Sequence, residues 1–437
     1  MKKKITILIF CLLLISTTGC ELFQVDEIWQ DSYELGEIIE DTEYINDIYS
    51  ENIILSEIIS TENNSENLTA LEEKEEIKEE TTEEKTSQNT NEQKIESYNF
   101  YYNQLNDKQK NSYAKLLESC NNFESEIMLG EDLSEYDIYK VIFAFQNDNP
   151  LYYWIDNFTY KTINKKNENS KIYVSFDIPQ DAEEVTIELK NKANNIVKNI
   201  PDNYSEYEKV KYIYEYIIDN TEYIDESAYN QDIRSVLLYN QSVCSGYAYT
   251  YQYLCQLIGI NCTTICGDAF SDGTTEPHAW NLLYLDGDYY WVDATWGDTF
   301  YNNPVKYDYS YFLTNDKTLL KTHTINDSNQ FVKKFDNQFF NYPKCNSDKY
   351  DYNKLNNCLF EEYDKNTKEF ISNKFKNGDT IINIKFKDKT SLDNAYKNLF
   401  EEKEINKILS NSIDLSQEVY YRYLKIENNN VIILWLE

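Results

Sequence analysis

Histidine is almost missing from this chain: 437 residues hold two, His278 and His323. Positive charge is scarce too. Lys and Arg number 41 against 76 Asp and Glu, a formal net charge of −35. Nucleic acid and anionic membrane surfaces repel so acidic a chain, which argues against nucleic acid as a partner. No glycine-rich phosphate loop, EF-hand spacing, internal repeat or coiled-coil pattern occurs. Those gaps remove a P-loop nucleotide cradle, an EF-hand calcium site and solenoid or fibrous architectures. Arginine is nearly absent while Asn, Ile, Lys and Tyr abound, which reads as the mark of an AT-rich genome rather than of a function.

What is present begins with "MKKKITILIFCLLLISTTGC". Three lysines precede an apolar run, Ile5 to Ile15, and small residues follow. This is the layout of an export signal, and the run is short for a membrane span. "TTGC" resembles a bacterial lipobox, with Thr17 where such motifs usually carry Leu. The resemblance implies a signal peptide over 1–20, lipidation of Cys20, and a protein anchored by lipid outside the cytoplasm at the bacterial cell membrane. Seven cysteines then remain: Cys120, Cys244, Cys255, Cys262, Cys266, Cys345 and Cys358. An odd number leaves at least one thiol unpaired.

Residues 21–96 carry 24 acidic residues and 4 lysines, a charge of −20 that is more than half of the total. The Glu/Thr/Asn-rich stretch 61–96 reads as disordered linker, and 21–96 as an acidic tether. As a coil, such a tether reaches roughly 45–50 Å. Order is expected from about Tyr98. Residues 97–200 alternate helical spacing ("LNDKQKNSYAKLLESC", "DLSEYDIYKVIFAFQNDNP", "DAEEVTIELKNKANNIVKNI") with two strands around a polar turn, an α/β N-terminal region. Pro201 and Asn203 mark a break. "SEYEKVKYIYEYIIDN" follows as a helix with Ser205 and Glu208 placed as a capping box. Residues 201–344 hold Cys244 and both histidines. Residues 345–437 form a small α/β C-terminal unit: helix to strand over "KEFISNKFKNGDTIINIKF", helix over "SLDNAYKNLFEEKEINKIL" and a hairpin over "VYYRYLKIENNNVIILWL".

"VCSGYAY" places Cys244 before a helical stretch ending near Gly259. At a helix N-terminus, free N–H groups and the macrodipole stabilise a thiolate and an oxyanion. A structural cysteine fits the same spot, so this stretch alone leaves both readings open. "EPHAWNLLYLDGDYYWVDATWGD" adds a strand, a two-residue Asp286-Gly287 turn and a second strand. With Leu285 facing Asp288, His278 and Asp293 fall on one face as diagonal neighbours, within reach of longer side chains. The carboxylate can then hold the imidazole's tautomer and stabilise its protonated form. Cys244 packed against that face would complete a nucleophile, a base and an orienting acid. His323, in "LLKTHTI", lacks such a setting and reads as structural.

"SVCSGYAYTYQYLCQLIGI", "HAWN" and "YYWVDATWGD", in this order, resemble the three motif blocks of the transglutaminase-like superfamily of papain-type thiol enzymes. The resemblance is specific over 205–325 and weaker over 97–200. It implies an α+β fold with a papain/transglutaminase-like core, the nucleophile on a helix N-terminus packed against an antiparallel sheet. It implies Cys244 as nucleophile, His278 as acid/base, Asp293 as orienting group and Trp296 as packing. The implied chemistry is acyl transfer from a protein or peptide amide through a thioester, without a cofactor.

For an exported protein, hydrolysis of cell-envelope protein or peptide is the preferred outcome, in the manner of a cysteine peptidase. Protein cross-linking by a transglutaminase-type acyltransferase is the alternative. A non-catalytic envelope interaction module on the same fold is another, as in fungal cytokinesis proteins. No metal is expected. Cys262 and Cys266 share a strand face but would lie ~13 Å apart, too far for one ion. Cys255 reads as core. A disulfide between Cys345 and Cys358 stays open.

Overall fold

Local capping signals start the described part of the chain. The structure is a computed structural model and describes residues 99–164, 168–271, 273–298, 306–326, 339–413 and 419–436. The expected signal segment with Cys20 and the expected tether over 21–96 lie outside the described residues. Helix α1 (Asp107–Asn121) opens on a capping box of Asn106 and Gln109, and α2 (Glu135–Asp148) on one of Ser134 and Asp137. Each box satisfies backbone N–H groups that a helix start leaves unpaired.

The expected strand pair is β2 (Phe158–Ile163) and β3 (Lys171–Phe176), antiparallel. A strand not expected from sequence, β1 (Glu126–Glu131), joins the far side of β3 and completes a three-stranded sheet. Its pattern of burial is broken by a register shift between Met128 and Gly130, which hides the period-2 signal that marks a strand. Helices α3 (Ala182–Lys198) and α4 (Glu206–Asn220) follow, the latter capped by Ser205 and Glu208 as the spacing predicts.

The two-residue strands β4 (Glu222–Tyr223) and β5 (Gln241–Ser242) run parallel and deliver the chain into α5 (Cys244–Leu257). Every residue from Gly246 to Cys255 is buried, so α5 has no solvent face. It packs against α3 and α4 on one side and against β6 (Asn261–Ser271) and β7 (Thr274–Leu285) on the other. Full burial of Tyr247 and Tyr251 contributes about 2–3 kcal/mol each from apolar area alone. Several of the polar groups this buries are paired, while Thr250 Oγ1 and Asn281 Oδ1 have no partner among the described residues. Gln252 donates to the Asn147 carbonyl at 2.7 Å and accepts from the Thr264 N–H at 2.8 Å, and Asn281 donates to the Ala248 carbonyl at 2.9 Å.

Strand β8 (Asp288–Val292) pairs with β7 through the turn at Asp286 and Gly287, both at positive φ. Leu285 faces Asp288, the register expected from the Asp-Gly turn. Strand β9 (His323–Ile325) adds to the other side of β6, for a sheet order β8-β7-β6-β9. One contiguous set of buried residues runs from Phe100 to Cys345, so residues 97–200 and 201–344 share a core. Tyr249 reaching Asn147 at 3.1 Å and Tyr101 reaching the Thr264 carbonyl at 2.6 Å stitch the two stretches together.

The C-terminal segment has a core of its own, from Tyr363 to Leu434. Strands β10 (Leu359–Phe360), β11 (Ile381–Phe386), β12 (Tyr421–Ile426) and β13 (Val431–Leu436) form a sheet of order β10-β11-β13-β12. Helices α6 (Lys365–Lys376), α7 (Lys389–Tyr396) and α8 (Glu404–Ser410) accompany it. The single helix expected over 391–409 is interrupted by Lys403 in the left-handed region at φ 58°. The fold is α+β throughout. Among the described residues no helix is long and apolar enough to cross a membrane. All seven cysteines in the described residues are free thiols, Cys345 and Cys358 included.

Candidate active site

Cys244 is the first residue of α5 and is half-buried. Why Gly246 follows it is steric. A Cβ there would stand 2.0 Å from Ser242 Oγ and 2.3 Å from Ser235 Oγ. Those two hydroxyls bond each other at 2.7 Å and lock the loop that leads into the helix. Ser245 Oγ donates to Gln231 Oε1 at 2.8 Å, so the Ser-Gly step anchors the helix start rather than loosening it.

The hairpin brings His278 of β7 to Asp293, the residue after β8. His278 Nε2 lies 2.8 Å from Asp293 Oδ2, and both are buried. The other ring nitrogen is left for the sulfur: His278 hydrogen-bonds Cys244, and the Ala279 N–H also donates to that sulfur. Cys244, His278 and Asp293 therefore form one connected chain. Asp293 Oδ1 accepts from the Thr295 and Trp296 N–H groups at 3.0 Å each, which caps the short helix Ala294–Gly297. The Asp293 N–H is held by the Tyr311 carbonyl at 2.9 Å.

The electrostatics follow from these contacts. Burial pushes the Cys244 thiol up, but the hydrogen bond and charge of His278 and the Ala279 N–H outweigh it, leaving the thiol below its ordinary value. Burial works against a charged His278, yet Asp293 and Cys244 raise it to about 10. Burial alone would raise Asp293. The His278 charge and the hydrogen bonds it receives hold it well below the ordinary carboxylate range. A thiolate–imidazolium pair beside a carboxylate is the charge state this favours.

His323 is not remote, as its sequence setting suggested. Its Nε2 lies 3.0 Å from the same Asp293 Oδ2. Sequence reasoning missed this because the contact depends on β9 pairing with β6, which no short-range period encodes. Trp296 packs as the resemblance implied, with its ring 5.9 Å from that of His278 and 4.6 Å from that of His323. Tyr223 was also missed. It pairs in register with Ser242, its ring lies 6.3 Å from that of Tyr247, and it is 44% exposed. Burial and then the Cys244 charge raise its pKa, so it stays a proton donor.

His278, Asp293 and His323 have the residue types of a metal site, with ligand atoms within 4.8 Å of one another. Their separations of 2.8 and 3.0 Å are those of direct N–H···O hydrogen bonds to one oxygen. Cys262 and Cys266 face the core instead, and Cys262 meets Cys255, both fully buried.

Residues 190–295 match the family described as the transglutaminase-like superfamily. Kyphoscoliosis peptidase from Mus musculus is 26% identical over 186 residues, which is 37% of this chain and 28% of that protein. The Homo sapiens protein is 26% identical over 162 residues, 31% of this chain and 24% of its own length. The chain thus spans about a quarter of the curated relatives it matches. A solved TGase structure aligns with 34% of this chain and 46% of its own, at 16% identity and a TM-score of 0.23. The family match encloses Cys244, His278 and Asp293, so the stretch that carries the site is the part of the chain similar to the transglutaminase-like superfamily.

Proposed function

We propose that this protein is an exported thiol hydrolase that cleaves amide bonds in proteins or peptides of the cell envelope. The observation that carries the reading is the Cys244–His278–Asp293 chain at the start of a buried helix. The Cys244 thiolate attacks the amide carbonyl, forming the C–S bond. The Cys244 N–H, free at the helix start, and the Tyr223 hydroxyl are the donors suited to the developing oxyanion. As the C–N bond breaks, His278 gives its proton to the departing amine. Asp293 stabilises the imidazolium until then. Water then attacks the thioester, His278 accepts a proton from it, and Cys244 leaves as thiolate. Water as acceptor suits a site outside the cell. Anchoring through Cys20 and the 21–96 tether would set the substrate's range to the membrane surface.

The purified protein is incubated with envelope proteins and a labelled primary amine, and the products are read by mass spectrometry. New termini that depend on Cys244 support hydrolysis. Incorporation of the amine would establish cross-linking in its place. A Cys244 that iodoacetamide labels no faster than a free thiol would leave only a binding role.

A further inference from the structure

One carboxylate oxygen serves two imidazoles. Asp293 Oδ2 stands 2.8 Å from His278 Nε2 and 3.0 Å from His323 Nε2. Strand β6 runs between the strands that carry them, so their backbones lie about 9–10 Å apart at two strand spacings. The rings nevertheless approach to 5.3 Å between centroids. On β6, His278 pairs with Gly267 and His323 with Ala269, and a Cβ at Gly267 would stand 2.1 Å from the Thr324 carbonyl and 2.7 Å from the Trp280 ring. The side chain of His323 is fully buried, with Trp280 and Trp296 at 5.1 and 4.6 Å.

We propose that His323 is a positioning residue of this site: as a neutral imidazole it donates its Nε2–H to Asp293 and keeps that buried carboxylate ionised and aimed at His278. The inference rests on the thiol-enzyme reading above. A carboxylate can only accept, so the proton His323 shares with it must sit on Nε2. Nδ1 is then an acceptor for the Thr322 hydroxyl at 2.9 Å, with the Leu319 carbonyl as that hydroxyl's longer alternative at 3.3 Å. Burial keeps His323 below the ordinary histidine value, and the neighbouring His278 charge adds to this against the pull of Asp293 and of the Leu319 carbonyl, an acceptor that also faces the ring. The titratable groups that face it are Asp293, His278 and, at 6.3 Å between rings, Tyr311, which burial holds protonated. With His323 in place Asp293 accepts from four donors: two backbone N–H groups on Oδ1 and two imidazoles on Oδ2. Without it the buried carboxylate loses a donor, becomes more basic and competes with His278 for the proton. The thiolate then loses part of its counter-charge.

The test follows Cys244 alkylation by iodoacetamide against pH in the full chain. His323→Phe is expected to move the midpoint upward by about one pH unit, with His323→Gln, which can still donate, close to wild type. Folded His323→Phe with an unchanged midpoint overturns the proposal, as does a Gln variant as impaired as Phe. A wild-type Cys244 of ordinary reactivity, insensitive to His278→Ala, would instead remove the thiol-enzyme reading and this inference with it. If His323→Phe does not fold, nitrogen-15 labelling of histidine resolves the matter, because the chain has only two. One neutral ring protonated at Nε2 beside one imidazolium is expected. A His323 proton on Nδ1 alone overturns the assignment.

Discussion

Helix α5 and helix α6 each lie on a sheet, but the two regions handle polarity in opposite ways. Helix α6 buries Thr367, Ile371 and Phe375 and keeps its lysines in water, and the apolar core beneath it holds no buried charged side chain among the described residues, only neutral polar ones such as Ser391 and Asn406. Helix α5 is buried all round, and its surroundings hold Gln252, Asn281, His278, Asp293 and His323. Burying such groups costs several kcal/mol unless each is paired. In the Cys244 region His278, Asp293 and His323 pair with one another, and Gln252 and the Asn281 amide N–H pair with backbone, while Thr250 Oγ1 and Asn281 Oδ1 have no partner among the described residues. A core of this kind is tolerated because its polar atoms hold one another in place. That same constraint makes it able to orient a proton donor beside a thiol.

The comparison breaks most sharply at the thiol. Cys244→Ala should lower amide hydrolysis by about 10⁴-fold or more, and His278→Ala by about 10²–10⁴-fold, with near-native circular dichroism in both. Asp293→Asn should have an effect of the same order as His278→Ala. Its amide can place an N–H against His278 and turn the ring to the wrong tautomer, lowering the rate by about 10³–10⁴-fold in steady-state assays. Activity against pH should rise below the ordinary thiol range as Cys244 ionises and fall near about 10 as His278 loses its proton. The linkage has the same sign. His278 is raised in the fold, so its stabilising share is complete below the ordinary value of 6.5 and is lost as pH climbs through about 10. A rate independent of pH across that interval would contradict the charge state assigned here.

Gly246→Ala should act through packing rather than chemistry. The added methyl meets two locked hydroxyls, so thermal or denaturant unfolding should show a loss of about 1–3 kcal/mol. The smallest effect on the site should come from the other region. Ile371→Ala opens a cavity in the C-terminal core and should cost that core about 2–5 kcal/mol while leaving Cys244 alkylation unchanged. A changed alkylation rate would show that the two cores communicate.

Much of the site was legible because it is local. The Asp286-Gly287 turn sets a period-2 register, and that register alone puts His278 and Asp293 on one face. The Ser205 and Glu208 box, the start of α5 at Cys244 and the C-terminal hairpin are similarly short-range. Strand β1 was not legible, because its register shift erases the alternation. Nor was Tyr223, whose two-residue strand is too short to carry a pattern.

The sequence by itself determined the caps, the hairpin register and the chemistry available at each position, since all depend on neighbours a few residues apart. Tertiary structure alone decided that Cys244 faces His278, that residues 97–200 share a core with the site, and that His323 reaches Asp293. Those contacts join segments 30 residues or more apart, and strand pairing and close packing around a buried helix fix them. The second histidine shows the difference: its type was visible in the chain, but its partner was set by which strand lay beside β6.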